Sequence, residues 1–199
     1  MVLAGTLQRF WQMAAHYHGE LWNASKISQA LGVSQPTVQS YVRVLEHAFM
    51  LRVLPPLEAN LKKRLVKTPK VYLRDSGLLH ALLRLESEND LLGHPVYGSS
   101  WEGYVIEQVL GVLPGWEAFF FRTSTGSECD LVLQRGRRRL AIECKVSSAP
   151  ELTPDFHRAI EDLKPEFTWV AAPVKEPYPI GKGIKVTPLP ALLAELARM

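Results

Sequence analysis

Asp130, Glu143 and Lys145 are the residues whose types and spacing best suit chemistry. They lie in Glu128-Cys129-Asp130-Leu131-Val132-Leu133-Gln134 and Arg138-Arg139-Leu140-Ala141-Ile142-Glu143-Cys144-Lys145, two alternating segments joined by Arg135-Gly136-Arg137. The link is short enough for a hairpin. A two-residue loop at Gly136-Arg137 puts glycine first, as a type II′ turn prefers. In that register Asp130 stands opposite Glu143, and Glu128 opposite Lys145. Cys129, Leu131 and Leu133 then face Cys144, Ile142 and Leu140. Alternation predicts one wholly apolar face and one face that gathers Glu128, Asp130, Glu143 and Lys145 at a single end.

Carboxylates brought this close repel one another. A divalent cation relieves the conflict, and Mg²⁺ (or Mn²⁺) is the expected ion. Mg²⁺ is hard and is typically held by one or two carboxylates, completed by water and substrate phosphate. Asp130 and Glu143 are the expected metal ligands, with the Cys144 carbonyl as a third donor. Such an ion acts as a Lewis acid on a phosphate and lowers the pKa of a bound water. Lys145 would orient that water and offset charge developing on the phosphate. The competing reading is a surface hairpin with a Glu128–Lys145 ion pair, worth little in energy.

The elements that must carry these residues follow from periodicity. Residues 7–17 read as an amphipathic helix through Leu7, Phe10, Trp11, Ala14 and Ala15. A short helix over residues 25–31, capped by Asn23 or Ser25, buries Ile27, Ala30 and Leu31. Gly32 reverses the chain. Ser34 caps a third helix with Pro36 in its first turn, and its expected buried stripe is Val38, Val42, Leu45 and Phe49. Strands over residues 50–54 and 71–73 flank a basic stretch holding Lys62, Lys63, Arg64, Lys67 and Lys70. A helix capped by Asp75 or Ser76 follows. The polar run Glu86-Ser87-Glu88-Asn89-Asp90 marks the expected boundary, giving modules of residues 1–92 and 93–199. Beyond it come a helix capped by Ser99 or Ser100, a strand at Phe119-Phe120-Phe121, the hairpin, a helix over 154–163, strands over 167–172 and 184–187, and a closing helix over 192–198. The fold class expected is α/β (α+β).

Helix, helix, turn, helix and hairpin is the order of a winged helix-turn-helix, and residues 27–38 resemble the turn region of that motif. The third helix would show Gln35, Thr37, Gln39, Ser40 and Arg43 to a major groove. Lys62, Lys63 and Arg64 would hold phosphates. The bland alternative is a module that binds protein or only packs. The acidic residue followed by Glu143-Cys144-Lys145 resembles the PD-(D/E)xK nuclease superfamily. That resemblance implies a restriction-endonuclease-like α-β-β-β-α-β domain. It also implies a helix glutamate, matched by Glu102 with Glu107 as fallback, that assists Asp130, Glu143 and Lys145.

The whole chain further resembles the C-terminal region of prokaryotic AAA+ ATPases, a domain of unknown function. Leu31-Gly32-Val33-Ser34, Lys67-Thr68-Pro69-Lys70-Val71-Tyr72, Asp75-Ser76-Gly77-Leu78, Trp101-Glu102-Gly103-Tyr104-Val105 and Glu128-Cys129-Asp130-Leu131-Val132 carry this likeness. It implies an AAA+ ATPase partner or an ATPase domain elsewhere. The function expected is a DNA-binding, Mg²⁺-dependent nuclease-like protein. The alternative is a non-catalytic DNA- or protein-binding module.

Composition sets the outer bounds. The 199 residues are 47% hydrophobic, with a net charge of +3, so one large or two small domains can bury a core. No apolar run is long enough for a transmembrane helix, and no leader is evident. Cys129 and Cys144 are the only cysteines. They could form a cross-strand disulfide, but buried free thiols in a cytoplasmic protein are the favoured reading. The six histidines show no ligand spacing, so zinc is not suggested. Arg135, Arg137, Arg138 and Arg139 could meet phosphates or be a solvated hairpin tip. Gly181-Lys182-Gly183 lacks the rest of a Walker pattern, so nucleotide hydrolysis is not expected.

Overall fold

A computed structural model describes residues 4–58, 64–181 and 183–199. It opens with α1 (Ala4–His16), α2 (Ala24–Leu31) and α3 (Gln35–His47). Local chemistry explains their ends. Asn23 Oδ1 accepts the Lys26 N–H at 3.0 Å, and Ser34 Oγ accepts the Thr37 N–H at 3.3 Å, satisfying donors that have no partner inside the helix. The apolar faces of α1–α3 meet in a core of Phe10, Ala14, Ala15, Ile27, Leu31, Val38, Tyr41 and Leu45.

Phe49 does not join this core, contrary to the expected stripe. The α3 helix ends at His47, so the 3.6-residue period stops before reaching it, and Tyr41 takes the buried position instead. Two short strands, β1 (Leu51–Leu54) and β2 (Lys70–Leu73), pair antiparallel. Asp75 caps α4 (Ser76–Leu82) at 2.6 Å. The polar run leads into α5 (Glu88–Leu92), where Ser87 and Asp90 form a reciprocal capping box. Next, α6 (Tyr97–Val112) places Ser99 and Ser100 inside the helix rather than at its cap.

The chain divides into two units. The first is Met1–Leu54 with Thr68–Gly103, and the second is Pro55–Lys67 with Tyr104–Met199. The second unit is built on a mixed sheet of β3 (Glu117–Arg122), β4 (Glu128–Arg135), β5 (Arg138–Cys144), β6 (Phe167–Ala171), β7 (Tyr178–Gly181) and β8 (Ile184–Thr187). Their spatial order is β3-β4-β5-β6-β8-β7. The strands β5, β6 and β8 run parallel. Both faces of β4 and β5 are buried: Leu131, Val132, Leu133, Leu140, Ala141 and Ile142 are all fully covered. On one side Phe156, Ala159 and Leu163 of α7 (Pro154–Leu163) share a core with Val132, Ala141 and Val170. Each large apolar side chain so buried stabilises the unit by about 1.5–3 kcal/mol. The chain closes with α8 (Leu189–Leu196), which packs on β6.

The described ends of the stretch expected to be a basic wing make backbone bonds to β3. The Leu57 N–H donates to the Phe120 carbonyl at 2.7 Å, and the Val66 N–H to the Arg122 carbonyl at 3.0 Å. Residues 55–57 and 64–66 thereby bond to the outer edge of β3 and the residues just after it, backbone groups that would otherwise be unpaired. Lys62 and Lys63 lie outside the described residues.

Candidate active site

The hairpin forms in the expected register. Leu131 pairs with Ile142, Leu133 with Leu140 and Arg135 with Arg138. Gly136 has φ +61° while Arg137 does not take a positive φ, the sign pattern of a type II′ turn. Asp130 near the start of β4 and Glu143-Cys144-Lys145 at the end of β5 therefore reach the same end of the sheet. That end also holds the carboxyl ends of the parallel strands, where open α/β sheets bind ligands.

The three residues interlock. Asp130 Oδ2 accepts the backbone N–H of Cys144 at 2.8 Å, and Lys145 Nζ lies 2.8 Å from Glu143 Oε1. Glu143 is almost fully covered while Lys145 is partly exposed, so the ammonium is the part of the pair that faces outward. Burial pulls the Lys145 pKa down. The charge and hydrogen bond of Glu143 and the charge of Asp130 outweigh it, so the net shift is upward and the amine stays protonated at neutral pH. The Lys145 N–H also donates to the Ala171 carbonyl at 3.0 Å, extending the ladder past β5 and anchoring the residue.

Strict alternation fails within β4. Phe119 pairs with Val132 but Phe121 pairs with Cys129, so β4 carries one extra residue around Asp130 and Leu131. This bulge turns Cys129 onto the face of Val132 and Ala141 rather than that of Leu131 and Leu133. Cys129 and Cys144 are free thiols. Burial, and then the charges of Glu143 and Asp130, push the Cys129 thiol well above its usual range, so it is inert.

Glu128 does not pair with Lys145. Its Oε2 is 3.5 Å from Arg122 Nε, across β3 and β4. Among the tip arginines, Arg135 and Arg138 stack on Trp116 at 4.9 and 5.4 Å. Arg138 also holds Glu166 through two nitrogens, and Arg139 bonds Gln134.

Glu102 sits in the first unit, in a polar network that sequence reasoning missed. Its Oε1 takes Lys70 Nζ at 3.1 Å and the Tyr72 hydroxyl at 2.5 Å. Lys70 and Tyr72 alternate on β2 and so present to the same face, a signal legible in Lys70-Val71-Tyr72. Next to them, buried His18 donates from Nε2 to the Ser99 carbonyl and accepts the Leu73 N–H at Nδ1, both at 3.0 Å. Gly103 is required here by space alone, since a Cβ would stand 2.7 Å from His18 Nε2.

Desolvation lowers the His18 pKa to about 4, against a smaller upward pull from Ser99. The folded state thus holds His18 neutral. Its contribution is complete above pH 6.5 and is lost as pH falls toward 4, a difference of about 3 kcal/mol. Urea midpoints should fall across that window, and His18→Gln should flatten the dependence.

The other predicted contacts fall in different units. Gln35, Gln39 and Arg43 lie exposed on α3. Thr37 is half-buried, with its hydroxyl 2.9 Å from Ser34 Oγ. Arg64, also exposed, belongs to the second unit, and its carbonyl accepts the Ser124 N–H at 2.9 Å. Among the described residues no group of three or more His, Cys, Asp or Glu is placed to hold an ion, and no helix is long and apolar enough to cross a membrane.

Residues 3–89 match the family described as Domain of unknown function (DUF8612), and residues 97–192 match Domain of unknown function (DUF4143). Uncharacterized protein Mb2031c of Mycobacterium bovis and Uncharacterized protein Rv2008c of Mycobacterium tuberculosis are each 34% identical over 190 residues. These alignments cover 96% of this chain and 43% of each relative. The chain therefore spans less than half the length of these curated relatives. No solved structure matches it.

Proposed function

We propose that this chain is a DNA-binding, nuclease-like protein that cleaves phosphodiester bonds with Mg²⁺ or Mn²⁺. In this reading a winged helix-turn-helix precedes a restriction-endonuclease-like domain. The observation that carries it is the meeting of Asp130, Glu143 and Lys145 at one end of β4 and β5, with Lys145 Nζ 2.8 Å from Glu143 Oε1. Two carboxylates, with no larger ligand group among the described residues, suit Mg²⁺, which leaves several positions to water and phosphate. Asp130 and Glu143 would hold the ion. When bound, it supplies Lewis acidity and an acidified water. Lys145 then neutralises charge on the phosphate and orients the attacking water. The paired Cys144 N–H keeps Asp130 aimed, and the covered floor of Ile142 and Ala141 fixes the strand beneath.

Calorimetric titration with Mg²⁺ and Mn²⁺ tests the metal site apart from catalysis. Asp130→Asn and Glu143→Gln should each weaken binding at least about ten-fold, since loss of one charged ligand from a site with few is severe. Equal binding by wild type and both variants would place the ion elsewhere.

One observation leaves room for a second reading: the alignment covers 43% of each relative's length. The chain would then be the non-catalytic DNA- or protein-binding C-terminal part of an AAA+ ATPase family protein, working with an ATPase partner. Two free cysteines fit a cytoplasmic setting under either reading.

A further inference from the structure

The end of α3 breaks a local rule. The Phe49 N–H donates to the Glu46 carbonyl and the Met50 N–H to the Leu45 carbonyl, at 3.0 and 2.9 Å. These two bonds make a Schellman motif, whose left-handed position normally belongs to glycine. Here a phenylalanine holds it, at φ +58°. A bulky residue in that conformation is disfavoured, and burial does not compensate, because Phe49 is 73% exposed. Strain retained without a packing gain points to use of the side chain.

The surroundings say what it would meet. The Arg74 guanidinium lies 5.4 Å from the Phe49 ring centroid. Arg43 and His47 are exposed on the preceding turns of α3, and Glu46 is the only acid in that stretch. An exposed ring beside cations is the arrangement that binds nucleotides, the ring taking the base and the cations the backbone. Val44 and Met50 are exposed at the same end of α3, so a protein partner would meet an apolar patch there, and it is the cations Arg43, His47 and Arg74 that favour a nucleic acid over it.

We propose that Phe49, with Arg74 beside it, is a stacking platform for an unpaired nucleobase. The substrate class is then single-stranded DNA or duplex with a single-stranded or distorted segment. This rests on the nucleic-acid reading above.

The test is fluorescence anisotropy at fixed salt with labelled oligo(dT) and with a perfect duplex, alongside thermal melts. Phe49→Gly restores the residue the backbone prefers. Its melting temperature should hold or rise while oligo(dT) affinity falls about ten-fold or more, and Phe49→Trp should retain binding. Unchanged oligo(dT) affinity in Phe49→Gly would overturn the proposal, as would a lowered melting temperature, which would make the ring a packing element. Duplex binding without oligo(dT) binding by the wild type would overturn it while leaving the DNA reading intact. Binding of neither probe would overturn both.

Discussion

Lys145→Ala is expected to slow Mg²⁺-dependent DNA cleavage by about 10²–10³-fold, the loss typical of removing one group that stabilises transition-state charge. The physical basis is a protonated amine, 2.8 Å from Glu143 Oε1 and raised in pKa by two carboxylates. It sits at a strand end whose backbone is pinned to Ala171. DNA affinity should change only a few-fold, because one phosphate contact among several is a small part of binding. Lys145→Arg should recover only part of the rate, since a planar guanidinium cannot reproduce a compact ammonium. Single-turnover rates with measured DNA affinities check this. A normal rate in Lys145→Ala would remove the residue from the chemistry.

Glu102→Ala should destabilise the protein by about 3–5 kcal/mol, the cost of removing one partner from a buried ion pair. Only 6% of the Lys70 side chain and 13% of that of Glu102 are exposed, so water cannot substitute for the carboxylate. Combining Glu102→Gln with Lys70→Met should restore much of the lost stability, because the uncompensated charge is then gone. Urea unfolding of the single and double variants gives the coupling. The same series tests the assignment that its family resemblance implies. If Glu102 assists cleavage, Glu102→Gln should slow cleavage by more than its loss of stability explains.

The hairpin register was legible because its causes are local: a period of two, a Gly136-Arg137 loop of fixed length, and charges that tolerate only one face. The caps at Asn23, Ser34 and Asp75 were legible for the same reason. The β4 bulge was not, because one extra residue leaves no mark on composition, and it carried Cys129 to the opposite face. The stretch around Arg64 reads as a basic loop because side-chain charge says nothing about the backbone bonds that residues 55–57 and 64–66 make to β3. Lys70, counted among its cations, is buried against Glu102. Glu102 was located by resemblance alone, and its partners Lys70 and Tyr72 lie about thirty residues away. Phe49 fitted the helical stripe, and only the observed end of α3 shows that it leaves the core.

The most direct measurement is cleavage of plasmid and branched DNA with Mg²⁺ or Mn²⁺ by wild type, Asp130→Asn and Glu143→Gln. Metal-dependent cutting by the wild type, lost in both variants while their melting temperatures and DNA affinities persist, is the predicted result. DNA bound but uncut by every form, with either ion, would contradict it and leave a binding module.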